Sequence, residues 1–301
     1  MSTDASLPYG IRPPAFRLPD RTRVGQVRLA VASLQRSIDY YQHVIGLQVR
    51  ERSGAVARLT AADGPDTLIE LYEEPAIQAA PRRGAYGLYH FAILLPSRED
   101  LGRFIAHVAG LGIRLGAADH WVSEAIYLTD PDGLGIEVYA DRPRSAWQVR
   151  GQELAMSTDQ LDLRDLVAAG GDQPWQGAPA GTTMGHVHLH VGDLAGAEAF
   201  YHRALGFDKV VWGYPGALFL SAGGYHHHLG TNTWSPGPAA STEHARLIEW
   251  QLILPTVSDV ATAGASLEGA GYKVGTEGAS LTVRDPWGTG LRIAPSVGDS
   301  A

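Results

Sequence analysis

Residues 184–191 read Met-Gly-His-Val-His-Leu-His-Val, and residues 24–31 read Val-Gly-Gln-Val-Arg-Leu-Ala-Val at the equivalent place in the first half of the chain. An aromatic pair and then a glycine follow both stretches at the same spacing. An internal duplication of this kind sets the architecture before any single residue is interpreted. The two copies differ at polar positions, since His186 of the second copy corresponds to Gln26 of the first.

A second pair of segments alternates with the first. Residues 130–137 read Asp-Pro-Asp-Gly-Leu-Gly-Ile-Glu, and residues 285–292 read Asp-Pro-Trp-Gly-Thr-Gly-Leu-Arg. The chain therefore contains four modules. Each opens with an alternating apolar strand, continues with a helix whose apolar residues recur at helical spacing, and ends with three short strands between turn-forming residues. The predicted unit is βαβββ.

The modules are predicted at about 24–74, 88–140, 184–234 and 246–294. This divides the chain into an N-terminal extension, a first module pair, a connecting segment and a second module pair, at 1–23, 24–140, 141–183 and 184–301. The connecting segment has the spacing for one short helix around residues 161–167. Its length lets the two halves pack in more than one way.

The composition is that of an ordinary globular protein with room for two cores, because the chain has 301 residues, of which 45% are hydrophobic and 19% charged. A net charge of -8 without a Lys/Arg cluster argues against nucleic acid or membrane as partner and favours a small molecule. The first 22 residues lack the apolar core of a signal peptide, so a cytoplasmic location is expected. Because the chain has no cysteine, any metal must be held by histidine and carboxylate.

Three residues could hold such a metal. His90 and His186 open the first strands of modules two and three at equivalent positions. Glu137 lies in an apolar run, where an unpaired carboxylate costs on the order of several kcal/mol of desolvation. Two histidines and one carboxylate form a facial triad with open positions, which suits non-haem Fe(II) and O2. The residues alone leave a second reading equally open: a core histidine, and an edge-strand Glu137 with an arginine partner.

Three further residues could serve catalysis. Residues 224–229 read Gly-Tyr-His-His-His-Leu, and in a strand the alternation would turn His227 into a cup and its two histidine neighbours away from it. A polar surface cluster is the alternative. His120 and Tyr127 precede Glu137 on neighbouring predicted strands and could line the same cavity, although such residues more often serve packing.

With these motifs, nearly the whole chain resembles the vicinal oxygen chelate superfamily. Within it, the stretches 89–96, 119–127, 141–144 and 225–234 are similar to catechol 2,3-dioxygenases of the CatE type. The resemblance implies an α+β fold in which four βαβββ modules pair into two cup-shaped half-barrel sheets. It also implies an Fe(II)-dependent extradiol dioxygenase, with Mn(II) as a possible replacement, which inserts O2 into a small aromatic diol. Superfamily members often associate, so a homo-oligomer is an open alternative.

The resemblance also implies roles for the candidate residues. His90, Glu137 and His186 become the metal ligands. His227 becomes the general base or the residue that stabilises superoxide. The remaining two candidates orient the substrate oxygens by hydrogen bonds: Tyr127 and His120.

The resemblance further constrains how the modules pair. Modules three and four cannot form the triad together, because Glu249 and Arg292 stand at the ligand positions of module four. The set is complete only if module two pairs with module three. Modules one and four then form a metal-free cup, in which Arg292 and Glu249 are expected to lie close together as a salt bridge.

Two other functions fit part of the pattern. If modules one and two pair, Gln26, Glu70, His90 and Glu137 converge and resemble the ligands of glyoxalase I, a metal-dependent lyase or isomerase. That arrangement leaves His186 without a role. A non-enzymatic, ligand-sequestering protein of the bleomycin-resistance kind would need only an apolar cleft without tightly bound metal.

Overall fold

The computed structural model describes residues 9–81 and 83–296, so residues 1–8 of the predicted N-terminal extension and residues 297–301 of the second module pair lie outside the described part. Within it, the chain forms two eight-stranded sheets and one two-stranded hairpin. No helix of this part is long and apolar enough to cross a membrane.

The first half of the chain contains two modules with the predicted order βαβββ. The elements of module one are β1 (Arg23–Val31), α1 (Leu34–Tyr40, continued by a π-helical turn at Tyr41–Ile45), β2 (Gln48–Ser53), β3 (Val56–Thr60) and β4 (Ile69–Glu73). Those of module two are β5 (Gly87–Leu94), α2 (Arg98–Gly110), β6 (Gly116–Asp119), β7 (Ser123–Thr129) and β8 (Gly135–Asp141).

The second half repeats this order after the connecting segment. That segment contains a 3-10 turn (Arg144–Ala146), β9 (Val149–Arg150), β10 (Glu153–Leu154) and α3 (Leu163–Ala169), which is the predicted short helix. Module three consists of β11 (Thr183–His190), α4 (Leu194–Ala197, continued as a π-helix at Glu198–Ala204), β12 (Asp208–Val211), β13 (Ala217–Ser221) and β14 (Leu229–Asn232). Module four consists of β15 (Arg246–Leu254), α5 (Val257–Gly269), β16 (Gly275–Glu277), β17 (Ser280–Arg284) and β18 (Gly290–Pro295).

Each sheet takes one module from either half of the chain. One sheet has the order β16-β17-β18-β15-β1-β4-β3-β2 and joins modules four and one; the other has the order β12-β13-β14-β11-β5-β8-β7-β6 and joins modules three and two. The α+β fold of four paired βαβββ modules is confirmed, as is the pairing of module two with module three. The module pairs 24–140 and 184–301 are consecutive in the sequence, but neither pair forms a sheet of its own. Their boundaries as domains stay a prediction.

The centre of the second sheet places three histidines on one face. β5 and β11 run antiparallel there, with His188 directly opposite His90 and His186 opposite Ala92. Residues opposite each other across a strand pair share a face, and so do residues two apart on one strand. His90, His186 and His188 therefore point to the same side, and all three are buried.

The turns that begin at Asp130 and Asp285 connect modules of different sheets by hydrogen bonds. In each case the two modules follow one another in the sequence. The hydroxyl of Tyr41, at the end of α1, donates to the buried carboxylate of Asp130, 3.0 Å away. Tyr201 of module three donates in the same way to Asp285 of module four, at 2.8 Å. Burial raises the pKa of Asp130 to about 6, and the hydrogen bond from Tyr41 opposes that rise. The sheets therefore join module one to four and module two to three, whereas the turns join module one to two and module three to four.

We expect Tyr41→Phe and Tyr201→Phe each to lower the free energy of unfolding by about 1–3 kcal/mol, because each leaves a buried carboxylate short of a donor. Urea denaturation at neutral pH measures the effect. Tyr272→Phe is the control, since the ring of Tyr272 packs against Phe200 and its hydroxyl makes no hydrogen bond to any described residue; its change should stay within about 0.5 kcal/mol. Equal stability of all three variants would contradict the bracing role.

Candidate metal centre

His90, Glu137 and His186 converge from the three adjacent strands β5, β8 and β11. The Oε2 atom of Glu137 lies 3.0 Å from Nε2 of His90 and 3.2 Å from Nε2 of His186. One ligand atom from each residue lies within 4.8 Å of the other two. Among the described residues, these three form a cluster of histidine and carboxylate side chains close enough together to hold one metal ion. All three side chains are buried, with exposed fractions of 5%, 2% and 1%.

The electrostatics of the cluster favour a cation. Burial opposes ionisation of Glu137, but the neighbouring imidazoles of His186 and His90 outweigh it, so the pKa of Glu137 lies well below its ordinary value. Burial also lowers the pKa of His186 to about 4. At neutral pH the site therefore presents a carboxylate and a neutral imidazole, which are the ionisation states that bind metal.

The residues fit a divalent metal ion by their donor set and by an unused donor atom. Nε2 of His90 is buried and has no hydrogen-bond partner among the described residues, although Glu137 is close. An unsatisfied buried nitrogen is costly, and coordination to a metal would remove that cost. Two imidazoles and one carboxylate are the donors of the facial triad.

The structure contradicts the reading of a core histidine with an arginine-paired edge glutamate. β8, which carries Glu137, lies between β5 and β7 in the interior of its sheet. The partners of the carboxylate are histidines. Nor does the structure assemble the glyoxalase set, because Gln26 and Glu70 lie on the other sheet and Glu70 pairs with Arg28 and Arg58.

A cavity of about 410 Å³ lies over the three residues. This is within the usual size of a small-molecule site. Large apolar side chains form much of its wall: Tyr89, Met156, Tyr214, Phe219 and Trp234. Polar side chains beside the metal cluster face the same space: His120, Tyr127, His188 and His227. The three residues predicted to serve catalysis therefore line one cavity with the three predicted ligands.

Tyr127 and His120 form a hydrogen-bonded pair in the cavity wall. Nε2 of His120 lies 2.6 Å from the Tyr127 hydroxyl, and Nδ1 of His120 lies 2.6 Å from the carbonyl oxygen of Ser157. Because a carbonyl only accepts, a neutral His120 donates from Nδ1 and accepts the Tyr127 proton at Nε2. Burial and the charge of Glu137 raise the pKa of Tyr127 well above its ordinary value, so the hydroxyl stays protonated. Its oxygen can then accept a hydrogen bond from a ligand.

The three consecutive histidines are not in a strand, contrary to the prediction. They precede β14 in an irregular segment, after two glycines with φ of 58° and 65°, Gly223 and Gly224. The alternative of a polar surface cluster is also wrong, because His226, His227 and His228 are all buried. The direction predicted for His227 is nevertheless found, since its ring lines the cavity and lies 4.0 Å from that of His186.

The sequence prediction missed His188. Its ring lines the cavity 5.0 Å from the ring of His90, and Nδ2 of Asn232 lies 3.0 Å from its Nε2. The ring packs against Gly230, where a β-carbon would be 2.8 Å from its Cγ. The signal was available, because His186, His188 and His190 alternate on one strand and alternate residues share a face.

The sheet of modules one and four carries an ion pair at the positions equivalent to the ligands. Nε of Arg292 lies 2.8 Å from Oε1 of Glu249, as predicted. A second carboxylate, Glu277, lies 2.7 Å from Nη2 of Arg292. At these positions the charge of Glu249 is therefore compensated by Arg292.

The sequence matches one family model and two curated relatives, which cover different shares of this chain. The model of the Glyoxalase/Bleomycin resistance protein/Dioxygenase superfamily matches residues 23–138 and 183–293. A catechol-2,3-dioxygenase of Bacillus subtilis (strain 168) is 44% identical over 270 residues, covering 88% of this chain and 94% of that protein. The glutathione transferase FosA of Serratia marcescens is 25% identical over 116 residues, covering 38% of this chain and 79% of that protein.

Solved structures share the fold at low sequence identity. One from Bacillus subtilis strain 168 has a TM-score of 0.66 at 12% identity, covering 93% of this chain and 86% of that chain. Glyoxalase I from Zea mays has a TM-score of 0.57 at 17% identity, covering 91% and 92%. Sequence and fold agree, and the chain belongs to the glyoxalase/bleomycin resistance protein/dioxygenase superfamily.

Proposed function

We propose that the protein is an extradiol ring-cleaving dioxygenase that uses a divalent metal, Fe(II), to insert O2 into a catechol-like substrate. The observation that carries the proposal is the convergence of His90, Glu137 and His186 beneath a cavity of suitable size. The catechol-2,3-dioxygenase of Bacillus subtilis supports the reaction class, at 44% identity over most of both chains. Mn(II), which carboxylate and water oxygens suit, is the alternative ion.

In this proposal His90, Glu137 and His186 would hold the metal where they line the cavity. When bound, the metal supplies a Lewis acid and a template for the two vicinal oxygens and O2. The aromatic wall, with Phe219 and Trp234, packs against the substrate ring and excludes water from it.

The polar residues of the cavity orient the diol and take up its proton. Tyr127, whose proton is engaged by His120, accepts a hydrogen bond from a substrate hydroxyl at its oxygen. His227 is the general base. Burial, followed by the charges of His186 and His226, lowers the pKa of His227 well below its ordinary value, so its imidazole is neutral before substrate binds. A neutral imidazole can accept a proton.

Location and assembly stay predictions. The net charge of -8 continues to favour a small-molecule substrate over nucleic acid. A cytoplasmic location and a homo-oligomer are the expectations carried over from the sequence and the superfamily.

Anaerobic purification, metal analysis and a panel of catechols test the function. We expect one iron per chain, O2 uptake, and a yellow ring-fission product with at least one catechol. Metal-free protein that binds catechols without converting them would favour sequestration. Isomerisation of a glutathione hemithioacetal without ring fission would favour the glyoxalase reading.

Replacing a single ligand should abolish metal binding, because two remaining ligands make too weak a site. We expect His90→Ala, Glu137→Ala and His186→Ala to lose stoichiometric iron, measured by elemental analysis, while circular dichroism shows that they still fold. Glu249→Ala is the matched control, since it changes the equivalent position of the other sheet and should keep the metal. Full iron content in any one of the three would remove that residue from the ligand set.

Loss of the proposed base should separate metal binding from turnover. We expect His227→Ala to keep its iron and to lose kcat by about 10²–10⁴-fold, the usual range for a positioned acid-base group. His107→Ala, on the surface of α2, is the control and should retain the parental rate. If His227→Ala also turns over at the parental rate, the base is His120 or Tyr127 instead.

A further inference from the structure

Asp141 and His226, which have no role in the proposed function so far, form hydrogen bonds that lead to His227. Asp141 ends β8, four residues beyond Glu137, and His226 precedes His227 in the irregular segment before β14. Nε2 of His226 lies 2.9 Å from Oδ1 of Asp141, and Nδ1 of His226 lies 2.7 Å from Nδ1 of His227. A continuous line of hydrogen bonds therefore runs from Asp141 through His226 to the cavity.

The middle of this line, His226, is enclosed by protein. The side chain of His226 has no exposed surface, whereas that of Asp141 is 29% exposed. Aromatic rings surround the imidazole of His226, with centroid distances of 4.0 Å to Tyr225 and 5.5 Å to Trp147. Both ring nitrogens of His226 are thus committed to Asp141 and His227.

Further contacts hold the carboxylate in place. The hydroxyl of Tyr225 donates to Oδ1 of Asp141 at 3.2 Å, and it lies 2.7 Å from the hydroxyl of Tyr139. The Tyr139 hydroxyl sits against Gly185, where any β-carbon would collide with it. This contact gives a reason for the glycine that precedes His186, and it shows that the arrangement is built into the motif.

The direction of the hydrogen bonds follows from the chemistry of the partners. The carboxylate of Asp141 only accepts, so Nε2 of His226 carries a hydrogen. When His226 carries only that one hydrogen, its Nδ1 accepts, and the hydrogen between the two rings belongs to Nδ1 of His227. The other ring nitrogen of His227, Nε2, then has a free lone pair for the cavity that the ring lines.

We propose that Asp141 and His226 are positioning residues that hold His227 in the tautomer with an unprotonated Nε2, ready to accept the proton of a substrate hydroxyl. The proposal rests on the proposed function of His227. It assigns a carboxylate and a second histidine to the base, as a serine-hydrolase triad assigns a carboxylate to its histidine.

Asp141→Asn tests the proposal by adding a donor where the carboxylate only accepts. The amide can donate to Nε2 of His226, which moves the hydrogen to Nδ1 and reverses the bond to His227, so that Nε2 of His227 is blocked. We expect kcat for a catechol to fall by about 10²–10⁴-fold, with metal content and KM unchanged. Asp165→Asn, at an exposed pair with Arg98, is the matched control and should keep the parental kcat.

Neutron diffraction of the parental protein exchanged into D2O tests the tautomer directly and needs no turnover. Deuterium on Nε2 of His226 and Nδ1 of His227 supports the proposal, and deuterium on Nδ1 of His226 overturns it. A parental kcat in Asp141→Asn also overturns it when the parental protein cleaves catechols. If the parental protein cleaves none, the proposed function fails, and the neutron result still decides the tautomer.

Discussion

A buried carboxylate sets the main constraint on this structure. Glu137 is 2% exposed, and an ionised group so far from water must be compensated. Its neighbours are two imidazoles, one from β5 of the first half of the chain and one from β11 of the second. The strand order β11-β5-β8 is what brings them together, so the charge of Glu137 and the joining of modules two and three depend on each other.

The two sheets compensate the carboxylate at equivalent positions in two different ways. Where one sheet has His90 and Glu137, the other has Glu249 and Arg292, which neutralise each other at 2.8 Å. A charge pair of this kind needs no ligand to fold, whereas a carboxylate between two neutral imidazoles is completed by a cation. One sheet thus carries the cluster of metal-ligand type, and the other is joined to it by the hydrogen bonds from Tyr41 to Asp130 and from Tyr201 to Asp285.

The sequence was sufficient for the modules, because they depend on local periodicity and on the repeat. For His90, Glu137 and His186 the residues alone left two readings open, and the family resemblance favoured the metal-ligand one. Strand ends observed at the module boundaries lie within two residues of those expected. The structure of residues 226–228 was not predictable from alternation, since an irregular buried segment and a strand can have the same composition. Gly223 and Gly224, both with positive φ, were the available warning.

Contacts between distant segments were beyond the sequence. The bond from His226 to Asp141 joins residues 85 positions apart, and nothing in either motif specifies the other as its partner. The contacts of His188 with Asn232 and Gly230 of the neighbouring strand β14 were likewise beyond the sequence, although its place on the same strand face as His186 was not. Polar networks inside a cup are set by strand register, which becomes visible only in three dimensions.

The most direct measurement is anomalous diffraction at the iron edge from crystals of the anaerobically purified protein. The account predicts one strong anomalous peak per chain within coordination distance of His90, Glu137 and His186, at the base of the cavity that His227 lines. A peak beside Gln26 and Glu70, or no peak in protein that turns over catechols, would contradict it.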